Sequence, residues 1–147
     1  MGMYTEFHFN AEVQDDNDVL AVLRYMIDGD SEPLPLPDHP LFDTDRWRVM
    51  LRMDSYYFDA DTHSTLRADC QGGQYLCIRC NLKNYDGEIE KFIDWITPHL
   101  KKHEGDFLGF YRYEETEQPT LIHHSPAETQ TFEYAESRNL GSAQERP

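Results

Sequence analysis

Residues 3–13 read MYTEFHFNAEV, and their alternation decides the fold class. Phe7, Phe9 and Ala11 fall on one side and Glu6, His8 and Asn10 on the other. That period of two belongs to a strand with one buried face and one open face. A helix follows at once. Asp15, Asp16, Asn17 and Asp18 give a start signal and suit the positive end of a helix dipole. Val19, Leu20, Val22, Leu23, Met26 and Ile27 then recur at helical spacing, and Gly29 closes the segment.

Working outward, residues 30–46 hold Pro33, Pro35, Pro37 and Pro40, which rule out regular helix. Leu34, Leu36, Leu41 and Phe42 are expected to pin this loop down. Residues 47–58 (WRVMLRMDSYYF) read as a second strand with Trp47, Val49, Leu51 and Met53 inward. A polar connection, 59–72, leads to a third strand at 74–83, with Leu76, Ile78, Cys80 and Leu82 inward. Asp86 is placed to cap a second helix carrying the stripe Ile89, Phe92, Ile93, Ile96 and Leu100, bent by Pro98 near its end. Residues 106–114 predict a fourth strand, and 118–124 a fifth at the sheet edge. The expectation is an α+β domain over residues 1–124. It has a ferredoxin-like β-α-β-β-α-β antiparallel sheet, both helices on one face, and an extra C-terminal edge strand. Residues 125–147 read as a polar tail, with Phe132 and Tyr134 able to dock part of it.

Charge narrows the function. The 147 residues hold 28 acids against 13 lysines and arginines, a net charge of −15. Residues 1–46 alone carry 11 acids and 2 bases. Such an excess repels phosphate backbones and anionic membranes and attracts basic proteins. The start MGMYTEFHFN has no signal-peptide character, and no apolar run is long enough to span a bilayer. Three cysteines do not make a disulfide framework, so a cytoplasmic location is expected.

No motif for a nucleophile elbow, a phosphate-cradling loop, a zinc protease or a calcium loop occurs. His63, Cys70, Cys77 and Cys80 are the nearest approach to a metal set. An alternating strand, however, turns Cys77 and Cys80 to opposite faces. No metal, cofactor or catalytic residue is therefore expected. The sheet face without helices is the more informative surface. By strand parity it carries Glu6, His8, Asn10, Arg52, Asp54, Tyr56, Tyr75, Arg79 and Asn81, with Arg112 a further candidate. Arginine with tyrosine is typical of recognition surfaces.

The segments GEIEKFIDWITPHL (87–100) and EGDFLGFYRYEETEQPTLI (104–122), with the opening YTEFHFNAEV, resemble an outline found in small bacterial immunity proteins of polymorphic toxin systems. Prophage-encoded inhibitors of host defence enzymes share the acidity and small size. The resemblance implies a non-enzymatic protein that blocks a basic partner, such as a toxin or nucleic-acid enzyme. It implies no direct contact with nucleic acid or membrane, and a homodimer is compatible with it. Asp15, Asp16, Asp18, Asp28, Asp30 and Glu32 would steer the encounter. The alternative is a small-ligand module in which Arg52, Arg79 and His8 hold an anionic metabolite or nucleotide on the open sheet.

Overall fold

Thr5–Val13 forms the strand β1, and every second side chain of it is buried. The computed structural model describes residues 3–55 and 61–125, and the backbone of 130–133. The helix α1 runs Asn17–Asp28. Asp16 caps it, its Oδ1 accepting from the amides of Asp18 (3.0 Å) and Val19 (3.4 Å). Gly29 ends it in the left-handed region at φ 74°, and its amide donates to Tyr25 O. The strands β2 (Thr65–Ala68) and β3 (Gln74–Leu82) come next, then helix α2 (Glu88–Ile96). Pro98 lies in a 3-10 turn, Thr97–His99, where a bend was expected. The strands β4 (Phe107–Tyr113), β5 (Thr120–His123) and β6 (Gln130–Glu133) complete the order.

The result is an α+β domain with two helices and one antiparallel sheet, ordered β2-β3-β1-β4-β5-β6. Phe7 and Phe9 of β1 meet Phe92 of α2 edge-on, with ring centroids 6.0 Å apart in each pair. One buried cluster joins them to Leu20, Leu23 and Met26 of α1 and to Ile78 and Leu82 of β3. The open face therefore belongs to the even-numbered residues of β1. Among the described residues no helix is long and apolar enough to cross a membrane.

The predicted strand at 47–58 is the main correction. Residues 47–52 form successive turns, with Val49 N–H bonded to Arg46 O and Arg52 N–H to Val49 O. Trp47, Met50 and Leu51 are fully buried, whereas Val49 is exposed. That spacing of three and four is helical, so period two was the wrong template. The second strand comes instead from Thr65–Ala68, inside the stretch read as a polar connection. Its burial is slight because it is an edge strand.

Three smaller expectations also change. Leu41 and Phe42 are buried as expected and Leu36 packs against the core, but Leu34 is 79% exposed. Asp86 does not cap α2: Asn84 Oδ1 accepts from Ile89 N–H (2.8 Å), and the buried Glu88 accepts from Asp86 N–H (2.9 Å). The 125–147 region is not tail throughout, since β6 pairs with β5, so β6 rather than β5 is the sheet edge. Main-chain pairing outweighs the polar composition there. The side chain of Phe132, and Tyr134 altogether, lie outside the described residues.

Arg52 shows what the turn segment does. Its Nε donates to Met26 O (3.1 Å) and its terminal nitrogen to Arg48 O (3.0 Å). No basic residue occupies the last turn of α1, so this arginine serves a free carbonyl there from outside the helix. A Cβ on Gly29 would stand 3.0 Å from the Arg52 Cζ, so the glycine also makes room for the guanidinium. Arg52→Met should lower stability by about 1 kcal/mol. A melt should show that as a drop of ~3 °C.

Candidate binding surfaces

The open sheet face is assembled by register. Glu6 stands opposite Asn81 and Arg112, His8 opposite Arg79 and Phe110, and Glu12 opposite Tyr75. Directly paired residues share a face. Glu6, His8, Tyr75, Arg79 and Asn81 are thus brought together as predicted. Arg112 Nε lies 3.6 Å from Glu6 Oε1, and His8 Nε2 lies 3.3 Å from Glu6 Oε2. The His8 ring stacks on Phe110 at 4.6 Å between centroids, a partner the sequence reading missed. Arg79 is exposed and has no carboxylate within ion-pair distance among the described residues. Tyr75 donates its hydroxyl to Asp69 (3.1 Å), which also accepts the amides of Gln71 and Gly73 and so shapes the β2–β3 hairpin.

The other predicted members of this face are placed differently. Arg52 sits at the end of α1, on the helix side. Asp54 is carried in by the turn segment and accepts from Asn81 Nδ2 (3.3 Å), so it borders the face without belonging to a strand. Tyr56 lies outside the described residues.

Burial holds the pKa of His8 below its ordinary 6.5, against the pull of Glu6 and with help from Arg79. Burial likewise lowers His124, with Asp106 opposing. Between 6.5 and these lowered values the unfolded chain binds protons that the folded chain refuses. Stability should therefore fall as pH drops through that window, then level off below it. Melts from pH 8 to 5 should show the decline, and an NMR titration should put both imidazole midpoints below 6.5.

The acidic residues form two groups. A twelve-residue helix is about 18 Å long, so Asp15, Asp16 and Asp18 stand well away from Asp28, Asp30 and Glu32. Glu32 is bound to Arg48 Nε at 2.6 Å, which lowers its pKa and removes it from the free acids. Asp16 and Asp18 of the first group rim a cleft of about 380 Å³ between α1, the proline loop and the end of α2, and Asp15 lies just before Asp16 in the chain. Val22, Leu34, Leu36 and Trp95 give the cleft apolar walls, Asp16 and Asp18 give it an acidic rim, and among the described residues no lysine or arginine lines it. His39 anchors the loop, with Nε2 2.8 Å from Asp94 Oδ2 and Nδ1 accepting from Leu41 N–H.

Cys77 pairs with Asn10 on the open face and Cys80 with Phe7 on the core face, so the two thiols diverge. Burial pushes the Cys80 thiol far up, which makes it inert as a nucleophile. Among the described residues no group of three or more His, Cys, Asp or Glu side chains converges to hold a metal ion. Comparison with protein-family models, curated proteins and solved structures found no match.

Proposed function

We propose that the chain is a non-enzymatic binding protein of the inhibitor or immunity type, which docks a basic partner at the cleft beside the start of α1. The observation that carries this reading is the pairing of an apolar cleft, whose described lining holds no lysine or arginine, with exposed Leu34 and the acids Asp16 and Asp18. A partner segment with an aliphatic or aromatic anchor next to lysine or arginine matches both features. The framework that presents the cleft is proposed as a split β-α-β unit of ferredoxin-like type, extended by β5 and β6. In its support, β3 lies between β1 and β2.

Affinity capture at low salt tests the reading, because screening weakens steered association. Asp15 and Asp18 are exposed and can be changed without touching the Asp16 cap. The Asp15→Asn/Asp18→Asn pair should slow association severalfold. Leu34→Ser should weaken the complex by roughly tenfold, the worth of burying most of a leucine. Capture that ignores all three substitutions would remove the cleft from the account.

A second reading keeps the open sheet face as a site for an anionic metabolite. It is favoured by Arg79, which lies beside His8 and has no carboxylate within ion-pair distance among the described residues, though Arg52 no longer contributes. A true ligand at a hundredfold excess over its dissociation constant stabilises by about 2.7 kcal/mol, so a thermal-shift screen of nucleotides would reveal it.

A further inference from the structure

The other end of the sheet has the opposite character. β2 is the terminal strand, and two adjoining hollows of about 270 and 260 Å³ run between its outer edge and α1, sharing Ile27, Ser64 and Thr65. Arg24 and Arg67 line the first hollow, and among the described residues Asp28 is the one acid in either. Neither arginine has a carboxylate within 4.0 Å among the described residues, although the chain carries a charge of −15.

Among the described residues the main chain here is also open. His63 N–H donates to Arg79 O (2.7 Å) and Asp69 N–H to Gly73 O (2.9 Å), so the odd-numbered residues turn their polar groups to β3. In an antiparallel ladder the alternate residues, Ser64, Leu66 and Ala68, then turn theirs outward. Ser64 Oγ is shielded from solvent and has no hydrogen-bond partner among the described residues. The two arginines flank this edge from opposite sides. Arg67 is opposite Tyr75 and so lies on the open face, while Arg24 approaches from α1 on the helix face.

We infer that the groove between α1 and β2 binds an extended acidic peptide, which adds to β2 as a further strand. Unpaired edge groups are a template for such addition. An added strand points successive side chains to opposite faces. Acidic residues of opposite parity, at i and i+3, would reach Arg67 on one face and Arg24 on the other. Acids at i and i+2 would reach only one of them. This surface is separate from the acidic cleft and stands or falls without it.

The test uses the whole chain and three short valine-rich peptides at about 150 mM salt, where the Debye length is ~8 Å and the net charge is screened. One peptide carries aspartates at i and i+3, one at i and i+2, and the third is the first with alternate amides N-methylated. The first should bind tightest and shift the amide resonances of Ser64, Leu66 and Ala68, and N-methylation should abolish this. Arg24 and Arg67 are exposed, so Arg24→Gln and Arg67→Gln leave the fold intact. Each should weaken binding by about fivefold, the upper range for a single exposed ion pair. Equal binding of the N-methylated peptide, equal binding of the same-face peptide, or unshifted edge amides would overturn strand addition. So would reproduction of the same shifts by inorganic phosphate with no preference among the peptides, which would mean a simple anion site.

Discussion

Gly109→Ala should destabilise the protein by about 4 kcal/mol or more, a large share of the stability of an ordinary domain. Gly109 pairs with Phe9 in the middle of the sheet at φ 156°. A Cβ there would fall inside the van der Waals envelope of the His8 carbonyl oxygen and stand 2.9 Å from the Phe9 Cα. Both neighbours are backbone atoms of β1, which is hydrogen-bonded on both sides and cannot move aside. The β4–β5 register also shifts between Phe107 and Gly109, so the glycine allows a local irregularity as well as a close approach. Urea unfolding reads the effect. A midpoint close to that of the unaltered protein would mean that β1 and β4 do not pair in this register.

Trp47→Ala should have the next largest effect, about 4 kcal/mol, in the range for removing a buried aromatic. The ring is fully buried, with centroids 4.8 Å from Phe42 and 5.8 Å from Tyr25. Phe42 in turn meets Trp95 at 5.3 Å, so Trp47 links α1 to α2 through the turn segment. The informative control is Val49→Ala. In a strand Val49 would share the face of Trp47 and its truncation would cost about 1 kcal/mol or more. At 39% exposure in a turn, it should be near-neutral. Comparable losses at both positions would restore the strand reading.

These two residues also show where the sequence could be read and where it could not. β1, β3 and α2 announce themselves because each carries one unbroken period over nine residues. The stretch WRVMLRM does not, since apolar side chains at 47, 49, 50, 51 and 53 satisfy a strand template and a helical one equally well. Burial chose the helical set, and Arg52 moved with it to the end of α1. β2 and β6 escaped notice for a different reason. Each has four residues at an end of the sheet, where main-chain pairing suffices and no buried stripe is required.

The candidate surfaces were legible to the same degree. Parity placed Glu6, His8, Tyr75, Arg79 and Asn81 on one face because their strands were assigned correctly. It could not show that Glu6 turns to Arg112 rather than Arg79, because strand neighbours are decided by tertiary pairing. The acid-rich opening third was plain from composition. Its division between the two ends of α1, and the apolar cleft beside the first of them, depend on how the proline loop folds back. Exposed Leu34 is the clearest case: an apolar residue in a proline loop reads as an anchor, and only the fold shows it standing free.

Site-specific photo-crosslinking tests the central claim most directly. A photoreactive amino acid replaces Leu34 in the cleft or Tyr75 on the open sheet face, both exposed positions. The cells are irradiated and the products resolved by mass. A discrete adduct with a basic protein is expected from position 34, reduced severalfold when Asp15 and Asp18 are neutralised, and none from position 75. An adduct from position 75 alone, or one from position 34 that is indifferent to those charges, would contradict the claim.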